Sequence, residues 1–443
     1  MEKVLVDEVA SLPAGTDAGE LPARVQVALG ELAGAAKEGL LALSVGVGLG
    51  VMAELMEEEV TDVVGPKGKN DSERTAVRHG HEAGEVTLGG RRIAVERPRA
   101  RTADGESEVA LRTYVHFGDR DPLTRLVLEQ MLAGVSTRRF ERTREPVGAD
   151  VEREARSASK SAVSREFVAR TRENLDALMS RRLDDLRLAV LMVDGIELKG
   201  RTNVVALGIT SDGVKLPLGL WEGATENAAV ATALLSDLVD RGLDTEQGAL
   251  CVLDGSKALR KAVRDVLGVH IPVQRCVRHK ERRVLDHLPE RDRPAVKRRL
   301  RRAWADTDHR RALDALRVLG AELDRSHPGA AASLREGMEE TLTLTRLAIG
   351  GSLKRTLEST NPCESMIESV RRSARNVKRW QSGDMALRWT AAGMLEAERQ
   401  FRRIVGYRDL AKLSVAIERD LDRHRQPNFA QTPTKEAATL ATA

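Results

Sequence analysis

One stretch, residues 188–221, constrains the fold more than any other part of this sequence. It holds three apolar runs, 188–193, 202–210 and 215–221, with Asp194-Gly195 after the first and an Asp-Gly turn after the second. Short runs rich in Val and Leu between turn signals predict a meander of three strands with a buried centre. A carboxylate is costly to bury without a partner. Asp194 therefore either closes a strand and caps a turn, or binds a partner such as a metal ion.

Two further acidic residues fit a shared site with Asp194. An apolar run at 249–253 ends at Asp254, and a helical pattern follows at once. Glu364 follows helix-capping residues and Pro362, which places it in the first turn of a helix. Two strand ends and one rigid helix could bring three carboxylates together, as two-metal phosphoryl-transfer sites require.

Five short motifs carry a resemblance to a known family. They are MVDG at 192–195, WEGATEN at 221–227, VLDGSKAL at 252–259, QRCVRHK at 274–280 and STNPCES at 359–365. In this order they resemble the DDE transposases of bacterial insertion sequences, specifically the Mutator type, over roughly residues 40–410. Pro362-Cys363 departs from the family, which more often has small or apolar non-proline residues there, although proline is compatible with a helix start.

The resemblance implies a fold, a reaction and a metal. The fold is α/β, an RNase H-like mixed sheet with a helical insertion, preceded by mostly helical DNA-binding regions. The reaction is hydrolytic nicking at the element ends, followed by attack of the freed 3′-OH on target DNA. Asp194 would bridge two Mg²⁺ or Mn²⁺ ions, with Asp254 and Glu364 each holding one.

The composition and the resemblance together divide the chain into seven regions. We predict an N-terminal helical region (1–56), a small region with a β-hairpin (57–120), a helical region with a candidate helix-turn-helix that binds DNA (121–184), the first part of the catalytic core (185–276), a basic helical insertion (277–355), the second part of the core (356–424) and a flexible tail (425–443). The hairpin prediction rests on Gly89-Gly90 between two strand-like runs.

A second glutamate competes with Glu364 for the third acidic position. Glu368 lies four residues on and so shares the same helix face. It could equally take part in a network of surface ion pairs with nearby arginines. The family pattern Asn-x-x-Glu-Ser matches Asn361 to Ser365, and the resemblance therefore implies Glu364.

The charge distribution favours a nucleic-acid partner. The net charge is only +4, but the pI is about 9.0 and the arginines are concentrated in segments. Aromatic residues make up 2% of the chain, so base stacking is not expected to dominate recognition. A charged run is usually a solvated helix face, but the run at 293–302 lies in sequence between two arms of an acidic site. We predict DNA contacts at Cys276, His279, Lys280, Lys297, Arg298, Arg301, Asn361, Arg371, Arg372 and Arg375.

The pair Cys276-x2-His279 has the spacing of half a zinc site, but no second pair of ligands accompanies it. The Mutator-type family carries a Cys/Asp-x2-His signature here, which implies a structural or DNA-positioning role beside the active site. Three scattered cysteines indicate a reducing compartment. The chain opens without a signal-peptide pattern, and the apolar segment at 39–53 is shorter than the roughly 20 residues of a membrane span. We expect a soluble, cytoplasmic, nucleoid-associated bacterial protein.

Three functions are compatible with these features. The first is a transposase acting on double-stranded DNA, at terminal inverted repeats and at a target, as a homo-oligomer of at least two copies because two ends are joined in one event. The second is a structure-specific nuclease of the same fold, such as a junction resolvase, against which the long flanking regions argue. The third is a non-catalytic DNA-binding protein descended from a transposase, against which the intact acidic triad argues.

Overall fold

The computed structural model describes residues 40–68, 74–88, 91–119, 124–135, 140, 156–157, 160–223 and 227–425. Several predictions lie outside these ranges: most of the N-terminal helical region, the Gly89-Gly90 turn, most of the candidate helix-turn-helix and nearly all of the tail. The chain divides into two units, one formed by 1–131 and 135–167 and the other by 132–134 and 168–443.

The first unit combines a long helix with a three-stranded sheet. Its elements are α1 (Leu40–Val64), β1 (Ala76–Leu88), β2 (Arg91–Thr102), α2 (Arg112–Asp119), α3 (Thr124–Leu132), β3 (Arg156–Ser157) and the start of α4 (Lys160–Ser180). The predicted hairpin is present, with β1 and β2 antiparallel and much longer than the sequence suggested. The buried face of α1 carries Met52, Met56 and Val60 at four-residue spacing, and these pack with apolar residues of both strands. Helix α1 runs across position 56, where we predicted a regional boundary. Within the described ranges, no helix is both long and apolar enough to span a membrane.

A five-stranded mixed sheet organises the second unit. Its strands are β4 (Leu188–Glu197), β5 (Thr202–Thr210), β6 (Lys215–Gly223), β7 (Leu250–Leu253) and β8 (Val273–Arg275), in the order β6-β5-β4-β7-β8. The first three form the predicted antiparallel meander, whereas β7 and β8 run parallel to β4.

The end of β4 differs from the prediction. The strand does not end at Asp194-Gly195, because these residues remain paired with Val205 and Val204 of β5. The reversal comes later, at residues 198–201, where Lys199 and Gly200 adopt positive φ of 46° and 87°. Asp194 is therefore not a turn residue but lies within a strand, on the paired part of the sheet.

Helices cover both faces of this sheet. On one face, α5 (Ala228–Asp240) and α6 (Lys257–Leu267) pack on Leu191 and Val193, and their N-caps are the polar residues Asn227 and Ser256. Side chains alternate along a strand, so Asp194 belongs to the opposite face. That face carries α13 (Asn361–Ser373) and α14 (Gly383–Gln400), and the buried Asn203 amide donates to Thr390 Oγ1 of α14 at 2.9 Å.

The segment between β8 and α13 is helical throughout, as the sequence predicted for 277–355. It contains α7 (Val277–Asp286), α8 (Arg293–Ala305), α9 (His309–Ser326), α10 (Pro328–Arg335), a 3-10 turn (Glu339–Leu342), α11 (Thr343–Arg346) and α12 (Gly351–Leu357). These helices enclose an apolar core of their own, which includes Leu300, Trp304 and Leu316. A 3-10 turn (Tyr407–Asp409) and α15 (Leu410–Arg425) follow α14.

Candidate active site

Two of the three predicted acids are brought together by strand register. Val193 of β4 and Leu253 of β7 are direct partners in the parallel ladder. The next residue on each strand is an aspartate, Asp194 or Asp254. Because neighbouring parallel strands lie about 4.8 Å apart, the two carboxylates share one edge of the sheet.

Asp194 is a buried carboxylate. The residue is 8% exposed, and its Oδ1 accepts a hydrogen bond of 2.9 Å from the backbone N–H of Gly195. In the described part of the chain, no lysine or arginine forms an ion pair with it, and His279 is its cationic neighbour. Burial, together with the charges of Asp254 and Glu364, raises the pKa of Asp194 to about 7, although His279 and the Gly195 amide act in the opposite direction. The carboxylate is therefore poised to accept a proton or a cation.

Asp254 is held by two neighbours. Its Oδ1 accepts from the Ser256 backbone N–H at 2.7 Å, and its Oδ2 accepts from Arg283 Nη2 at 3.2 Å. Arg283 also donates from Nη1 to the carbonyl oxygen of Gly255 at 2.9 Å. Arg283 was not predicted as a site residue, although it follows His279 by four residues and so lies on the same face of α7.

Glu364 lies in the first turn of α13, as predicted. Its Oε1 accepts a hydrogen bond of 2.8 Å from Thr360 Oγ1 and lies 3.8 Å from His279 Nδ1. Thr360 is wholly buried and is the N-cap residue, although its side chain caps no helix N–H. The sequence placed Thr360 only among the helix-capping residues before Pro362, so its contact with Glu364 is an addition from the structure.

Cys276 and His279 lie beside Glu364. The Thr360 hydroxyl is 3.6 Å from Cys276 Sγ and 3.4 Å from His279 Nδ1. Burial opposes ionisation of the Cys276 thiol, but its hydrogen bonds to His279 and Thr360 outweigh burial and lower the thiol's pKa. The bond to Cys276 correspondingly raises the pKa of His279. The motif thus joins α7 to the start of α13.

Asp194, Glu364 and His279 open on a cleft of about 500 Å³, whose lining does not include Asp254 or Cys276. Five predicted site residues line it: Asp194, His279, Asn361, Glu364 and Arg371. Arg282 and Glu368 line it as well. Position in the cleft therefore does not decide whether Glu364 or Glu368 is the third acid. A concave site that combines acidic and basic side chains suits a phosphate-bearing substrate and a cation together.

Two of the predicted DNA contacts are buried. The Lys280 side chain is 1% exposed, and its ammonium donates to the carbonyl oxygens of Ser333 and Glu336 at 2.6 and 2.5 Å. These bonds satisfy the ammonium inside the helical segment, so the predicted phosphate contact of Lys280 is corrected to a structural role. Cys276 is wholly buried and cannot contact DNA directly.

The remaining predicted contacts are on the surface, with different partners. Lys297 and Arg301 both reach Glu281, at 3.4 and 2.7 Å. Arg298 is exposed and has no ion pair within the described ranges. On α13, Arg371 and Arg372 are exposed, and Arg375 donates to the Ala133 carbonyl oxygen at 3.5 Å.

The donor chemistry of the acids fits a hard divalent cation. Carboxylate oxygens are the ligands that Mg²⁺ prefers, and Asp194 has unbalanced charge. In the described chain, however, the one set of three Cys, His, Asp or Glu donors within 4.8 Å of one another is Cys276, His279 and Glu364. In a two-metal arrangement Asp254 and Glu364 would hold different ions, so their carboxylates need not lie within this distance of each other.

Comparison with known proteins gives a consistent set of relatives. The model of a family described as transposase, Mutator family, matches residues 33–403. The chain is 29% identical over 226 residues to a probable transposase for an insertion sequence element of Corynebacterium diphtheriae. This alignment covers 50% of this chain and 63% of that relative, less than two thirds of the relative's length. It is 25% identical over 362 residues to the transposase for insertion sequence element IS256 in transposon Tn4001 of Staphylococcus aureus, covering 78% and 87%. It is 28% identical over 332 residues to the transposase for IS1081 of Mycobacterium tuberculosis, covering 72% and 75%.

Proposed function

This chain belongs to the Mutator family of transposases, and we propose that it cleaves DNA at the ends of an insertion sequence and transfers those ends to target DNA. The observation that carries the proposal is the pair Asp194, within β4, and Asp254, directly after the neighbouring parallel strand β7, with Asp194 buried and without a lysine or arginine partner among the described residues. Catalytic sites are where such perturbed carboxylates are expected, since burial of an unpaired charge is unfavourable for stability.

We further propose that the mixed sheet is an RNase H-like core. Three antiparallel strands followed by two strands parallel to the first support this assignment. The helices between β8 and α13 would then be an insertion that separates Glu364 in sequence from the two aspartates.

The proposed metal ligands are Asp194, Asp254 and Glu364, and the proposed ions are Mg²⁺ or Mn²⁺. When bound, the ions would activate a water or a 3′-hydroxyl as nucleophile and stabilise the leaving oxygen. The surrounding side chains orient the ligands: Arg283 holds the Asp254 carboxylate and the Thr360 hydroxyl holds that of Glu364.

The proposed partner is double-stranded DNA, at both ends of the element and at the target. Arg282 and Arg371 line the same cleft as Asp194 and Glu364, where their charges would face DNA phosphates. Joining two ends in one event requires that two sites act together, and we therefore propose an assembly of at least two copies.

The test uses a supercoiled plasmid that carries the coding region with its flanking DNA, a second plasmid as target, and Mg²⁺. Wild-type protein is expected to produce 3′-OH ends at both borders of the element and joined products in the target. Ala variants of Asp194, Asp254 and Glu364 should lose cleavage and joining while still retarding border DNA in a gel.

Two outcomes would contradict the proposal. Cleavage governed by DNA structure rather than by the border sequences, without joined products, would identify a nuclease of the same fold. Binding of border DNA by wild-type protein with no cleavage in Mg²⁺ or Mn²⁺ would identify a DNA-binding protein that is not catalytic.

A further inference from the structure

We propose that Cys276, His279 and Glu364 form a second metal site, selective for a borderline transition ion such as Zn²⁺ and separate in chemistry from the carboxylate site. We call these three residues the mixed-donor site. Sequence spacing supplied only half of a zinc site, the Cys-x2-His pair. The structure adds a third donor from a helix that begins more than 80 residues later in the chain.

Backbone contacts hold the three donors in place. Cys276 is the residue before α7, and its N–H donates to the Leu253 carbonyl oxygen of β7 at 2.8 Å. Val277, the first residue of α7, donates to the carbonyl oxygen of Glu358 just before α13 at 2.9 Å. The starts of both helices are thus fixed to each other, and sites on rigid elements position ligands more reliably than sites on loops.

The separations approach those of a tetrahedral zinc site. One donor atom from each residue lies within 4.8 Å of the other two, and His279 Nδ1 is 3.8 Å from Glu364 Oε1. Zinc bonds of about 2.0–2.3 Å place tetrahedral ligands roughly 3.3–3.8 Å from one another. Small side-chain rotations would therefore close the site, with a fourth position left for solvent or a substrate oxygen.

The donor set decides which ion binds. Thiolate and imidazole select zinc over magnesium, whereas Asp194 and Asp254 offer only the oxygen ligands that magnesium prefers. The buried Thr360 hydroxyl lies beside all three donors, at 2.8 Å from Glu364, 3.4 Å from His279 and 3.6 Å from Cys276. Its hydrogen bond to Glu364 orients that ligand, as hydrogen-bonding partners of metal ligands commonly do.

Sharing of Glu364 makes the two sites mutually exclusive. An ion in the mixed-donor site withdraws Glu364 from the proposed catalytic set, so zinc acts as an inhibitor of magnesium-dependent cleavage. This consequence rests on the proposed function, whereas binding at the mixed-donor site does not.

The test is titration of the full-length reduced protein with Co²⁺, which takes the same donors as zinc and shows a near-ultraviolet charge-transfer band when a thiolate binds it. Wild-type protein is expected to show the band, which zinc removes and excess Mg²⁺ does not. Cys276→Ser should lose it. Cys251→Ser and Cys363→Ser are matched controls that should keep it, because both thiols are buried and lie outside the mixed-donor site.

Further variants keep the test decisive. If circular dichroism shows that Cys276→Ser does not fold, His279→Gln should show a weakened band instead. Absence of the band in wild-type protein, or its persistence in a folded Cys276→Ser variant, overturns the mixed-donor site. A cobalt band together with full Mg²⁺-dependent cleavage in saturating zinc overturns the sharing of Glu364. A cobalt band in a protein that never cleaves DNA overturns the proposed function and leaves the site standing.

Discussion

The surroundings of Asp194 and the surface of helix α8 both carry many charged side chains, but the two regions differ in how these charges are paired. Asp194 is a buried carboxylate near two other acids, and no lysine or arginine pairs with it in the described chain. On α8, three of the six cations are paired with acids of the protein itself: Lys297 and Arg301 share Glu281, and Arg299 pairs with Glu322.

Of these two kinds of charge, the buried one is the better indicator of function. Exposed ion pairs of the α8 kind contribute about 0–1 kcal/mol and form wherever opposite charges meet on a surface. A buried carboxylate without a partner opposes folding, so its presence requires another reason. The basic run on α8 therefore carries little functional information by itself, whereas Asp194 carries much.

The largest expected effect concerns the third acid. Glu364→Ala should reduce cleavage of element-border DNA by more than about 100-fold, since even the outer partners of metal ligands commonly contribute 10–100-fold. Glu368→Ala, on the same helix and in the same cleft, should cause a much smaller loss. Single-turnover cleavage of the two variants side by side measures the difference, and the reverse order of effects would assign the third position to Glu368.

The next effect concerns stability and pH. The pKa of Asp194 in the folded protein is about 7, well above the roughly 3.9 of an unfolded aspartate. The folded state therefore binds more protons between these values, and the free energy of unfolding should fall as pH rises from about 4 to 7 through this residue. Asp194→Asn removes this titratable group. The free energy of unfolding of the variant should therefore exceed that of the wild type by an amount that grows across this pH range and levels off above pH 7. Each pKa unit corresponds to about 1.4 kcal/mol, so the free energies of unfolding of variant and wild type should differ by about a few kcal/mol more at pH 7 than at pH 4.

Denaturant unfolding from pH 4 to pH 8 without metal checks this expectation, and a pH-independent difference between the proteins would refute it. Mg²⁺ provides the control. Binding at 100 times its dissociation constant stabilises the folded state by about 2.7 kcal/mol, and the wild type should gain this while Asp194→Asn loses most of it. Equal gains in both proteins would remove Asp194 from the ligands.

Local patterns predicted the sheet and its helices well, because strand periodicity and helix caps are encoded in neighbouring residues. The three strands of the meander and the helix α6 directly after the run that ends at Asp254 are examples. The predicted end of β4 was wrong because its pairing with β5 continues through the Asp194-Gly195 turn signal.

The sequence did not reveal contacts between distant elements. The basic sequence around Lys280 predicts a solvated helix. Its ammonium is instead buried and donates to carbonyl oxygens more than 50 residues away in the chain. The contacts of Arg283 with Asp254 and of Thr360 with His279 likewise depend on how α7 packs against β7 and α13. The identity of the three acids remains a prediction, although the register of β4 and β7 supports placing two of them together.

The smallest expected effect separates free from neutralised cations on α8. Arg298 has no ion pair in the described ranges, so Arg298→Gln should lower the slope of log affinity against log salt by about 0.9 if it contacts a phosphate. Arg301 must first leave Glu281, and Arg301→Gln should therefore change the slope less. Dissociation constants for border DNA between about 50 and 200 mM salt give both slopes.

The matched control is Glu281→Gln, which removes the acid shared by Lys297 and Arg301 while leaving every cation of α8 in place. If this surface faces DNA, the two released cations become available to phosphates, and Glu281→Gln should bind more tightly with a steeper salt slope than wild type. If α8 is only a solvated face, neither Glu281→Gln nor Arg298→Gln changes the slope. In that case the DNA contacts must come from the cleft residues Arg282 and Arg371, whose neutralisation would then lower the slope on its own.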